Sequence, residues 1–231
     1  MTRYAIYAAP ERDTRLWHFG NRVLGRDAET GEAVAQIVPE GFQPGEWQDF
    51  TASPRRYGFH ATLKAPFHLA AGKTEYDLRQ AVRAFGKRSA AIAELNLAAK
   101  LSGDYVMLDL PESDPRVQVL AAACVTEFDG FRAPLTDDER ARRGASLTEA
   151  QKENLERWGY PHVFDDFTFH LTLAGPLPKE RADDALTALS AAYSQAVKDE
   201  KFAIRSIALF AEEESGAGFR LMLRVPFGAR A

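Results

Sequence analysis

The 231-residue sequence predicts an α+β fold built on antiparallel sheet, as one large domain or two small lobes sharing a core. Three observations predict it. Strand-like runs alternate with helical stretches and are twice followed by a second strand across a short turn, the mark of hairpins rather than parallel crossovers. The second half then partly repeats the first, as a strand bearing a histidine, a helix and a hairpin. Hydrophobic residues make up 45% and charged residues 27% of the chain, enough apolar material to bury a core without staples.

The first strand spans Tyr4 to Ala8 and Pro10 ends it. Asp13 or Thr14 caps a helix to about Leu24, with Gly25 as its stop. Residues 38–54, which include Pro39, Gly41, Pro44, Gly45 and Pro54, read as a long surface connection. Tyr57 to Leu69 is strand-like, and a helix follows from about Thr74 to Lys87. Strands over 92–101 and 104–110 turn at Ser102-Gly103. Asp114 caps a helix that starts at Pro115 and runs to about Phe128. Residues 131–162 are charged and helical in flavour, with a capping box at Thr148-Glu149-Ala150-Gln151, and read as an insert rather than core. Phe164 to Pro176 is a strand, Pro178 opens a helix to about Val197, and strands over 202–212 and 219–227 close the chain.

The net charge is −4 and the sequence pI about 5.8. That balance argues against long nucleic acid as a partner and leaves a small phosphorylated metabolite held by a few local cations. No run approaches the ~20 apolar residues of a membrane helix, and Met1 to Tyr7 lacks the apolar core of a secretory signal. A cytoplasmic location is the expectation. Cys124, the single cysteine, lies in the apolar stretch 119–125 and reads as a buried thiol. The histidines show no metal-ligand spacing with Asp or Glu, so neither a metal nor a cofactor is assigned.

The chemistry concentrates in two matching segments, Phe59-His60-Ala61-Thr62-Leu63 and Phe169-His170-Leu171-Thr172-Leu173. Side chains alternate along a strand. One face therefore carries Phe59, Ala61 and Leu63, or Phe169, Leu171 and Leu173, and must be core. The other sets His60 beside Thr62 and His170 beside Thr172. Opening a phosphodiester by in-line attack requires one group to take a proton from water and another to give one to the leaving oxygen. Histidine does either near neutral pH, and a threonine hydroxyl donates to a non-bridging oxygen. The scheme requires no metal.

This doubled His-x-Thr resembles the 2H phosphoesterase superfamily, which includes cyclic-nucleotide phosphodiesterases and 2′-5′ RNA ligase-like proteins. Arg3 to Tyr7, Pro54 to Pro66 and Trp158-Gly159-Tyr160-Pro161 resemble, more narrowly, a bacterial family of phosphonate-metabolism proteins encoded near carbon–phosphorus lyase genes. The resemblance covers nearly the whole chain. It implies a single two-lobed domain over 1–231, with antiparallel sheets flanking a central groove, helices outside and a helical insert near 131–162. It also implies a phosphoesterase acting on a phosphonate-pathway metabolite such as a ribosyl cyclic phosphate.

Further candidates have two readings each. Lys64 shares the parity of His60 and is either a phosphate ligand or a solvent-facing strand residue. Arg55 and Arg56 precede the strand, where Arg56 is a candidate phosphate ligand and a surface pair is the alternative. Arg140, Arg142 and Arg143 follow Asp137, Asp138 and Glu139, which favours a solvated helix with local ion pairs over an anion-binding lid. His18 reads as structural or exposed, and Pro66 interrupts the register before His68. His162 is loop-borne and reaches substrate only if the insert folds back, and Trp158 and Tyr160 read as packing for the insert in preference to a stack on a base or ribose. The leading function is hydrolysis of a small cyclic phosphodiester by His60 and His170, with Thr62 and Thr172 on the phosphoryl oxygens. The rivals are RNA 2′,3′-cyclic end processing or 2′-5′ ligation, and a non-catalytic phosphate-binding module.

Overall fold

The computed structural model describes residues 1–144 and 146–228, without the side chain of Arg142. The elements run β1 (Arg3–Ala8), α1 (Arg15–Leu24), α2 (Pro44–Tyr57), β2 (Ala61–Phe67), α3 (Glu75–Arg88), β3 (Ile92–Leu95), β4 (Ala98–Ser102) and β5 (Tyr105–Asp109). They continue with α4 (Pro115–Glu127), α5 (Asp137–Arg143), α6 (Glu149–Trp158), β6 (His170–Ala174), α7 (Lys179–Val197), β7 (Phe202–Ile204), β8 (Ser206–Glu212) and β9 (Arg220–Pro226). The caps of α1 and α4 are the expected ones. The Thr14 hydroxyl accepts from the Trp17 N–H at the start of α1, and Gly25 ends that helix at φ 75°, a conformation that suits a residue without Cβ. Thr74 and Asp114 cap α3 and α4.

One prediction fails outright: residues 44–54, read as part of a surface connection, belong to α2, which runs on through Tyr57. Pro44 sits in the first turn, where a missing N–H costs nothing, and Gln43 and Glu46 cap each other. Trp47, Thr51 and Pro54 then fall on one buried face. Pro54 is tolerated inside the helix because the carbonyl it leaves unbonded, that of Phe50, accepts from the Gly175 N–H at 2.7 Å. Prolines that read as breaks are here a helix start and a tether to the end of β6.

Two sequence strands split. Residues 92–101 divide into β3 and β4, with Glu94 at φ 62°, and residues 202–212 divide into β7 and β8. The divisions correspond, and β3 pairs with β7 in a sheet of their own through Ile92 with Ile204 and Leu95 with Phe202. The repeat is thus fuller than predicted, each half running strand, helix, short strand, hairpin. The other seven strands form one antiparallel sheet in the order β4-β5-β6-β2-β1-β8-β9. Hairpin β4–β5 of the first half lies beside β6 of the second, and hairpin β8–β9 lies on the β2 side across β1. The halves meet where β2 and β6 pair at Ala61 and Leu171.

Both histidine strands are shorter than predicted. Tyr57 ends α2, and a 3₁₀ turn at Phe164–Asp166 precedes β6. Tyr4, Ile6, Leu63, Leu171 and Leu173 bury one sheet face in the main core with the helices, while Ala5, Tyr7, Ala208, Phe210 and Phe219 form a smaller cluster on the other face. Residues 131–162 contribute α5 and α6, anchored by buried Leu155. No helix of the described residues is long and apolar enough to cross a membrane.

Candidate active site

Gly58 turns the chain from α2 toward β2 at φ 76°, with an ideal Cβ there only 2.8 Å from the Cβ of Ala28. Glycine is therefore required both by backbone and by space. Its carbonyl accepts from His60 Nδ1–H at 2.8 Å. Because a carbonyl only accepts, the proton of a neutral His60 ring lies on Nδ1, and Nε2 is left as a lone-pair acceptor. Thr62 Oγ1 lies 3.2 Å from that Nε2 and donates to it. His170, at the start of β6, repeats the arrangement: its Nδ1–H donates to the Thr168 carbonyl at 2.9 Å. Both rings are thus fixed by the carbonyl two residues earlier.

With Ala61 opposite Leu171, an antiparallel register sets His60 across from Thr172 and Thr62 across from His170. The two histidines stand on the diagonal of this quartet, about 7–8 Å apart at the backbone. All four residues line a groove of about 930 Å³. The predicted core parity holds too, with Phe59, Ala61, Leu63, Phe169, Leu171 and Leu173 all buried.

The two histidines are not equivalent. His60 stacks on Tyr7, ring centroids 3.6 Å apart and planes 20° apart. Burial pushes its pKa down to about 4; the Gly58 carbonyl opposes this, and the charge of His170 adds to it. Tyr7 is fully buried, and in the sequence it reads as one more apolar strand residue. The parity of β1 offered a signal, since Tyr7 shares a face with Arg3.

Lys64 does not reach the groove. Tyr7 pairs with Thr62 but Ile6 pairs with Lys64, so β2 spends two residues where β1 spends one. This bulge turns Leu63 and Lys64 to the same side, and Ala65 lines the groove instead. Lys64 is 3% exposed, and its Nζ donates to the Val125 carbonyl at 2.9 Å and to Asp129 at 3.1 Å. It pins the chain after α4 to the sheet. Asp129→Ala strands this buried ammonium and should cost about 3 kcal/mol in urea unfolding. Lys64→Met should cost no more than about 1 kcal/mol, because Asp129 keeps Arg132; equal losses would contradict the assigned roles.

Arg56 does line the groove, with Nε and Nη2 donating to Glu212 Oε1 at 2.8 and 2.7 Å. Arg55 is instead tied to the Leu24 carbonyl and Thr51. Of the arginine cluster, Arg140 pairs with Glu156 on the surface, and the Arg142 side chain lies outside the described residues. Arg143 lines the groove with Thr136, Glu139 and Tyr160, so the segment read as a bland insert forms one of its walls. His68 also lines it, its Nδ1–H donating to the Thr2 carbonyl at 2.9 Å. His18 and His162 are exposed. Trp158 packs on Phe164, as expected. Cys124 is buried, and burial pushes its thiol up. Among the described residues no group of three or more His, Cys, Asp or Glu side chains is placed to hold a metal ion.

Comparison with known proteins adds relatives to this geometry. The chain is 38% identical over its full length to "Ribose 1,5-bisphosphate phosphokinase PhnN" of Janthinobacterium sp. (strain Marseille), covering 52% of that protein. It is 36% identical over 95% of its length to the protein of the same name from Laribacter hongkongensis (strain HLHK9), covering 50% of it. The chain thus spans about half the length of the curated relatives it matches. Among solved structures, E. coli LigT complexed with 3′-AMP aligns over 99% of each chain at 12% identity and a TM-score of 0.45. A family model described as "Protein of unknown function (DUF1045)" matches residues 62–220, from Thr62 in the quartet through His170 and Thr172 to the start of β9. Well over half of the sequence, with three of the four quartet residues, falls within that match: the chain belongs to the DUF1045 family.

Proposed function

We propose that the chain opens a cyclic phosphodiester on a phosphorylated ribose by paired-histidine acid–base catalysis. The observation that carries this is the repeated arrangement of His60 with Thr62 and His170 with Thr172, each ring held at Nδ1 by the carbonyl two residues back. That tether leaves Nε2 of each ring for chemistry. His60 is the base, since burial against Tyr7 keeps it neutral with its lone pair available. His170, across the quartet, is the acid, its Nε2 left by the Nδ1 tether to face the leaving oxygen.

Water attacks phosphorus as His60 Nε2 takes its proton. The bond from phosphorus to the leaving sugar oxygen breaks opposite, and His170 gives that oxygen a proton. Thr62 and Thr172 donate to the non-bridging oxygens, where charge accumulates. In the free protein Thr62 donates to His60, so a substrate oxygen draws that hydroxyl away and frees the base.

The relatives' name suggests the sugar. A phosphokinase of ribose 1,5-bisphosphate consumes a bisphosphate that ring opening supplies, if the diester spans O1 and O2 of ribose 5-phosphate and O2 leaves. The kinase activity itself finds little support in this chain. Its nearest approach to a phosphate-binding loop is Gly72-Lys73-Thr74, and Phe67, buried in β2, stands where such a loop has its first glycine. The test is turnover of ribose 1,2-cyclic phosphate 5-phosphate followed by ³¹P NMR. The ring-phosphate signal should give way to a 1-phosphate monoester at the same rate with or without EDTA. Cleavage only of RNA 2′,3′-cyclic ends would favour the end-processing reading, and EDTA-sensitive activity would overturn the mechanism.

A further inference from the structure

Tyr7 is fully buried, lines the groove, and its hydroxyl has no hydrogen-bond partner among the described residues. A buried donor left unmade is costly, and a ligand atom arriving in the groove satisfies it. The charged and phenolic groups acting on this hydroxyl are Arg3, Glu212, Tyr57 and Tyr160. Arg3 from β1 and Arg56 from the end of α2 both grip Glu212, whose side chain is 1% exposed, against 13% and 38% for the two arginines. Two guanidiniums on one carboxylate leave a net positive charge. In both arginines only Nε and Nη2 are used, so each Nη1 has no hydrogen-bond partner among the described residues.

We propose that this corner of the groove, formed by Arg3, Arg56 and the Tyr7 hydroxyl, binds a second phosphate of the substrate, a monoester carried at the far end of its sugar. The proposal rests on the ring-opening reading and assigns the residues that hold the second phosphate of its substrate. β1 sets the spacing: Tyr7 pairs with Thr62 of the quartet, and Arg3 pairs with Glu212 four residues away, roughly 13 Å along the strand. Long arginine side chains shorten that gap at their tips, and a pentose with a phosphate at each end bridges it. Arg143, which also lines the groove, is a weaker candidate because its guanidinium already donates to the carbonyls of Gly159 and Pro66.

The test compares kcat/KM for ribose 1,2-cyclic phosphate with and without the 5-phosphate. Wild type should prefer the 5-phosphorylated compound by about 10–100-fold, the worth of one or two charge-assisted hydrogen bonds. In Arg56→Gln that preference should fall to within about threefold. Tyr7→Phe, which keeps the ring, should reduce it by about 5–10-fold. Arg56→Lys, a milder change should Arg56→Gln fail to fold, should leave an intermediate preference, because charge remains without the fork. Equal kcat/KM for both compounds in wild type, or a preference intact in Arg56→Gln, would overturn the subsite. If wild type turns over neither compound, the ring-opening reading fails instead. Calorimetry with ribose 5-phosphate then decides the corner alone: binding lost in Arg56→Gln supports it, and no binding, or binding unchanged in the variant, overturns it.

Discussion

His60→Ala and His170→Ala should each lower kcat/KM for ring opening by about 10²–10⁴-fold, the usual worth of a positioned acid or base. The two act on one transition state, so the double variant should fall little further than the worse single one. His170 opens β6 at the edge of the groove, and its replacement should leave the urea midpoint close to that of wild type. His60 covers the ring of Tyr7, and its loss should cost some stability as well. A circular dichroism spectrum matching wild type separates lost chemistry from lost fold. Thr62→Val and Thr172→Val should each cost about 10²-fold, as for a lost oxyanion donor. Full activity in His170→Ala would remove the acid from the scheme and leave a phosphate-binding groove.

That prediction was legible in the sequence because a strand's period is two. Parity alone set Phe59, Ala61 and Leu63 against His60 and Thr62, and the same words recur around His170. The structure agrees on every one of those residues. Parity fails one residue later because a bulge at Leu63 is a property of the pairing with β1, not of the local sequence. Lys64 therefore reads as a ligand or a solvent-facing strand residue and folds as a buried strut. The helix α2 was hidden for a different reason: Pro54 is unfavourable in isolation, and only a distant N–H, that of Gly175, makes it tolerable.

In the sequence Arg3 and Tyr7 carry only a family resemblance, and Arg143 reads as one of a cluster that favours a solvated helix over a lid. Each enters the groove through tertiary packing, which no local pattern assigns. The groove takes its floor from the two repeats and its walls from what differs between them, namely β1, the end of α2 and the stretch around α5 and Tyr160. A duplicated motif can supply a symmetric pair of histidines. It cannot by itself place them in unlike surroundings. Tyr7 lies on β1, which belongs to the first half alone, and it covers His60 but not His170.

The asymmetry gives the last prediction, in pH. With His60 lowered to about 4, kcat/KM should stay high as pH falls from 7 to 5 and drop with a midpoint near pH 4. An ordinary histidine base would lose activity with a midpoint of about 6.5. Tyr7→Ala opens the site to water and should move that midpoint up by one to two units, on the order of the desolvation it removes. Tyr7→Phe keeps the stacked ring and should leave the midpoint near 4. The same shift predicts stability. Between pH 4 and 6.5 the unfolded chain binds the proton and the folded chain does not, so stability rises with pH across that window. His60's contribution is complete above about 6.5 and is lost as pH falls through 4. The full shift corresponds to about 3 kcal/mol, and a ring partly open to the groove should realise about half of it. Urea midpoints at pH 4 and 7 should therefore differ more in wild type than in His60→Ala. An acidic limb at 6.5 in wild type, unmoved by Tyr7→Ala, would mean that burial does not hold His60 neutral, and the assignment of base and acid would have to be reversed.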